Sequence, residues 1–115
     1  MKLDLTEAID IARAKLAREA WKLELTIGGQ TYSVREVTRP ELVKLAELDG
    51  TAEARPFLKT FFQEPEPDVM SWDRQTLSAV VAAVGHAVQA RGDRLSEIAA
   101  GVVRRQIDAQ SKAER

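Results

Sequence analysis

Trp21, Leu23, Leu25 and Ile27 fall on every second position, with Lys22, Glu24 and Thr26 between them. That period of two belongs to a half-buried strand. Gly28-Gly29 follows, and glycine reaches the positive φ values of a two-residue hairpin turn at little cost. Folding at this dipeptide predicts the pairs Ile27–Gln30, Leu25–Tyr32, Leu23–Val34 and Trp21–Glu36. In that register Tyr32 and Val34 join Leu23 and Leu25 on one face, which a one-residue slip would turn to solvent. The predicted hairpin covers about residues 21–37.

The rest of the chain has helical spacing. Thr38 and Glu41 match a capping box, Pro40 suits a first helical turn, and Leu42, Leu45 and Leu48 recur before a stop at Gly50. A helix from about 39 to 49 follows. Upstream, Asp4 and Glu7 open a helix over 4–20 whose stripe is Leu5, Ile9, Ala12, Leu16 and Ala20. Narrow and rich in alanine, this stripe predicts a lightly packed helix that lies on the hairpin or docks on another copy or a partner. Pro56 starts a further helix, in which Phe57 with Phe61 and Leu58 with Phe62 are i,i+4 pairs. Gln63-Glu-Pro-Glu-Pro-Asp68 ends it in a stiff acidic loop.

Trp72, Asp73 and Leu77 form a hydrophobic staple, and Leu77, Val80, Val81, Val84 and Val88 carry the helix to Ala90. Gly92 reads as its C-terminal glycine and Asp93 as the cap of a last helix bearing Leu95, Ile98, Ala99, Val102, Val103 and Ile107. The polar residues 109–115 predict a frayed tail. The fold expected is α+β and mostly α: one domain over 1–115, its hairpin packed against roughly five helices, with the helical remainder at 39–108. The expected core is Leu23, Leu25, Tyr32, Val34, Leu42, Leu45, Val80, Val81 and Val84.

A chain of 115 residues buries about 65% of its extended surface. Its 44% hydrophobic and 30% charged residues fit an ordinary globular protein. With a net charge of −1 and interleaved signs, nothing draws it to nucleic acid or an anionic membrane. The sequence has no cysteine, which excludes disulfides and thiolate chemistry. It also has no apolar run near the ~20 residues that cross a bilayer, and Glu7, Asp10 and Arg13 interrupt any signal-peptide core. The expected location is the cytoplasm.

Candidate chemistry is sparse. His86 is the single histidine, so a zinc site would rest on carboxylates, an unfavourable ligand set. The acids Asp4, Glu7, Glu41, Asp73 and Asp93 read as capping or helix-surface residues. Gly28-Gly29 joins strand to strand and lacks the helix N-terminus of a phosphate loop. Arg91-Gly92-Asp93 matches an adhesion tripeptide, for which the helix-boundary reading is sufficient. No enzyme activity, cofactor or metal is expected. What remains is protein binding. Three of the six aromatic residues fall within positions 57–62. Phe57, Phe61, Phe62 and Trp72 therefore read either as core or as an exposed partner-binding patch rimmed by the acidic loop, with Phe62 the exposed member. Leu5, Ile9 and Leu16 are the candidate self-association residues.

The run from Leu23 to Leu48, with Gly-Gly-Gln-Thr-Tyr between two strands and then Thr38-Arg-Pro-Glu-Leu, resembles the tail assembly chaperones of long-tailed bacteriophages. The resemblance extends through Phe57–Phe62 and Trp72–Leu77 and covers about half the chain. The helix before the hairpin departs from it, since many members begin near the first strand. The resemblance implies a small, mostly helical, non-enzymatic protein of the bacterial host cytoplasm that keeps the tape-measure protein soluble and helps recruit tail-tube subunits. In many phages a frameshift near the gene's end adds a second domain, in which case Met1–Arg115 corresponds to the short product. A possible homo-oligomer would add avidity along a long client. Two other classes fit the same residues: a small helical adaptor or regulator that binds one folded partner, and a structural head–tail joining component of a virion.

Overall fold

The computed structural model describes residues 1–113. Their order is α1 (Leu5–Ala17), β1 (Leu23–Ile27), β2 (Gln30–Val34), α2 (Arg39–Glu47), α3 (Ala54–Lys59), a 3-10 turn (Val69–Ser71) and α4 (Arg74–Ala113). The fold is α+β and mostly helical, with one antiparallel hairpin among the described residues. Four α-helices stand there where about five were expected. The missing boundary is at Gly92-Asp93, which lies inside the 40-residue α4. Positive φ occurs among glycines only at Gly28, Gly29 and Gly50, so Gly92 makes no left-handed cap. A glycine inside a helix costs only about 1 kcal/mol, and the apolar runs on both sides outweigh it. The helix also continues to Ala113, through most of the stretch expected to fray; residues 114–115 lie outside the described residues.

The chain divides into two compact units, Trp21–Gln89 and a second formed by Met1–Ala20 with the chain from Ala90 onward. In the first, Leu23 pairs with Val34, Leu25 with Tyr32 and Ile27 with Gln30, the register that the alternation and the Gly-Gly turn predict. Gly28 and Gly29 have φ of 60° and 84°. The ladder stops at Leu23, so Trp21 and Glu36 are not a strand pair; the Trp21 indole Nε1–H instead donates to the Val34 carbonyl at 2.9 Å.

β2 has a second neighbour that the sequence did not reveal. Arg35 N–H donates to Phe61 O at 2.8 Å and Gln63 N–H to Ser33 O at 2.9 Å, around an isolated bridge between Val34 and Phe62. The segment after α3 thus runs along β2, and Pro67 in the acidic loop is fully buried. The buried core of this unit is Val34, Val37, Leu45, Leu58, Phe61, Phe62, Val69, Val80 and Val84, with Leu23, Leu25, Tyr32 and Leu42 partly buried against it. Val81, expected inside, is 36% exposed. Leu77, Val80, Val84 and Val88 already fill the inward line of α4, and Val81 lies about 100° around from Val80.

Arg35 fastens three elements together. Its guanidinium donates to both Glu41 carboxylate oxygens at 3.1 and 2.6 Å, to Glu36 O at 2.9 Å and, through Nε, to Thr60 O at 3.0 Å. Glu41 also completes the capping box of α2 by accepting from the Thr38 backbone. The Arg35 hydrogen bond, helped by the Thr38 donors, holds the Glu41 carboxyl down at about 2. A carboxylate depressed in the folded state stabilises fully above its ordinary pKa, and that stabilisation is lost as pH falls. Here the window runs from about 4.5 down to about 2. Both side chains are partly exposed, so after solvent screening the pair contributes about 1 kcal/mol. Urea midpoints are expected to fall between pH 6 and pH 3, and Glu41→Gln to flatten that fall; an unchanged slope in the variant would exclude Glu41 as its source.

In the second unit, Asp4 caps α1 by accepting from Glu7 N–H at 2.9 Å. The inward face is Ala8, Ala12 and Leu16, rotated from the expected stripe, because alanines permit close approach to a neighbouring helix. That neighbour is the C-terminal part of α4. Arg91 donates to Leu16 O at 3.0 Å, Arg94 forks onto the Glu19 carboxylate, and Gln106 donates to Asp4 O at 3.1 Å. The Arg94 hydrogen bonds hold the Glu19 carboxyl below its usual range. Val102 is buried on the α4 side.

Candidate functional site

An apolar groove opens in the hairpin-containing unit between the end of α2, α3 and the start of α4. Gly50, with φ of 80°, stops α2, and the Thr51 hydroxyl caps it by donating to Leu48 O at 2.6 Å. Arg55 on α3 donates to Val69 O and Trp72 O, both at 2.8 Å, which fixes α3 against the segment leading into α4. Asp73 then caps α4 by accepting from Thr76 N–H at 2.7 Å, and this bond keeps its carboxyl below the usual range. These ties set Leu45 and Ala46 of α2, Ala54 and Leu58 of α3, and Leu77, Val81 and Ala82 of α4 around a groove of about 420 Å³. Leu58 forms its floor at 1% exposure, while Val81 stands at its mouth. The small side chains of Ala46, Ala54 and Ala82 leave the space unfilled.

Polar groups in the groove are few. Asp49 and Ser78 line it, and neither side chain has a hydrogen bond or ion pair among the described residues. Nothing there resembles a nucleophile with its base. Among the described residues no three His, Cys, Asp or Glu side chains gather to hold a metal, and His86 is exposed on α4. No helix among them is long and apolar enough to cross a membrane.

The sequence-derived aromatic patch does come together, but it faces inward. Phe61 is 0% and Phe62 4% exposed; Phe57 and Trp72 are half-buried. Phe62 packs edge-on to Tyr32 and Trp72 at 6.3 and 5.8 Å, and Phe57 edge-on to Phe61 at 5.3 Å. Arg35 covers the Phe61 ring at 5.2 Å and Lys44 the Phe57 ring at 4.8 Å. The expectation of an exposed Phe62 is therefore corrected. It assumed helical phase through residue 62, whereas α3 ends at Lys59 and Phe62 sits in the segment bridged to Val34. Of the proposed self-association residues, Leu5 and Ile9 are exposed at 57% and 40%, whereas Leu16 is buried and is unavailable to a partner.

Sequence reasoning missed the groove. Its one available signal was Val81, which cannot share a face with a stripe already complete at Leu77, Val80, Val84 and Val88. Comparison of the chain with protein-family models, with curated proteins and with solved structures finds no match.

Proposed function

We propose that this protein is a non-enzymatic protein-binding module whose groove between α2, α3 and α4 receives an apolar segment of a client. On the resemblance of residues 23–48, that client is a phage tape-measure protein and the module a tail assembly chaperone that also helps recruit tail-tube subunits. The observation carrying the reading is the groove itself: carbon-lined, open on one side, and bearing only Asp49 and Ser78 as polar groups. Amphipathic helices are bound in this way, by placing apolar side chains at i, i+3 and i+4 into a hydrophobic trough. A tape-measure protein, long and helical with apolar stripes, needs such cover before assembly. The aromatic cluster acts from below, by holding the segments that form the groove. Mass spectrometry of purified virions tests the assignment against a structural role, since a chaperone leaves the particle and a joining component stays. Absence from virions is the expected result.

A further inference from the structure

We propose that the groove also accepts the exposed face of α1 from a second copy of this chain. Leu5 and Ile9 are exposed at 57% and 40%, and Arg13 is exposed two turns on. Spaced i, i+4 and i+8, these three lie on one face of α1 and span about 12 Å along it. Arg13 has no side-chain partner among the described residues. The groove is complementary: Leu45, Leu58, Leu77 and Val81 provide an apolar trough, and Asp49 is its single acidic lining residue, also without a partner among the described residues. Glu47 and Glu53, on either side of Asp49 in the chain, are exposed and unpaired among the described residues. Two apolar knobs followed by a cation thus match an apolar trough that carries an acid.

Each copy carries both halves of this contact, so a two-fold dimer would fill two grooves at once, and the two contacts would reinforce each other as a bivalent pair. The contact depends on the groove and not on the identity of any client, so it stands or falls separately from the chaperone reading.

The test is sedimentation of the full chain over a wide concentration range. The wild type is expected to dimerise. Arg13→Asp and Asp49→Arg should each weaken association by about tenfold or more, with unchanged helical circular dichroism and, at concentrations where the wild type is monomeric, an unchanged melting temperature. An equimolar mixture of the two variants should dimerise again. In the mixed pair the introduced carboxylate of one variant meets the introduced guanidinium of the other in one groove, and the native Arg13 meets the native Asp49 in the other. Each variant alone sets like charges together twice. Three outcomes would overturn the proposal: a wild type that stays a 12.8 kDa monomer throughout, variants that associate as well as the wild type, or a mixture that stays monomeric while a chain carrying both Arg13→Asp and Asp49→Arg behaves as wild type. The last result would mean that α1 docks within its own chain.

Discussion

Phe62→Ser is expected to unfold the hairpin-containing unit at physiological temperature. The side chain is 4% exposed and touches the Tyr32 and Trp72 rings. Truncating a buried phenylalanine costs about 3–5 kcal/mol, and a serine hydroxyl left there without a partner adds about 1–3 kcal/mol. Domains of this size are stable by only about 5–15 kcal/mol, so the substitution consumes most or all of the margin. Thermal unfolding followed by near-ultraviolet circular dichroism reads the loss directly, through the Trp72 environment. A melting temperature within a few degrees of wild type would place Phe62 at the surface and reopen the aromatic patch as a binding site.

Ala12→Asp is the counterpart in the other unit. Ala12 is 0% exposed and sits between Ala8 and Leu16 on the face of α1 that meets α4. A carboxylate at this position must be desolvated without a partner, and an uncompensated buried charge costs on the order of 3–5 kcal/mol. Release of α1 is the expected result, seen as rapid proteolysis after Arg13, Lys15 and Arg18 while the hairpin-containing unit keeps its melting transition. Loss of both units together would mean that the two fold as one cooperative body. Hydrogen exchange along α1 gives an independent reading, because local opening and global unfolding protect amides to different degrees.

What the sequence made legible follows from the range of the interactions involved. The hairpin register, the Thr38–Glu41 capping box, the Asp4 and Asp73 caps and the stop at Gly50 are set by residues close to one another in the chain, and each stands as predicted. Failures came where a distant partner decides. The bridge from Val34 to Phe62 joins residues far apart in sequence and turned a supposed surface aromatic inward. The Gly92-Asp93 boundary was read from local cap chemistry, yet the apolar faces on both sides keep α4 helical through it. The α1 stripe was placed correctly at Ala12 and Leu16, but packing against α4 buries Ala8 beside them and leaves Leu5 and Ile9 exposed. The groove was illegible for the same reason, being a space between three helices that no single stretch encodes.

Whether this groove binds the client is decided by one co-expression experiment. A tape-measure protein would be produced alone, with the wild-type chain and with the Val81→Asp variant, and its soluble fraction measured. Val81 is 36% exposed at the groove mouth, so an aspartate there can keep its charge in water, and the variant's stability should change by less than about 1 kcal/mol. The client is expected to be soluble with the wild-type chain, and as insoluble with Val81→Asp as when made alone. A client equally insoluble with and without the wild-type chain, or one kept soluble by Val81→Asp as well as by wild type, would contradict binding in the groove.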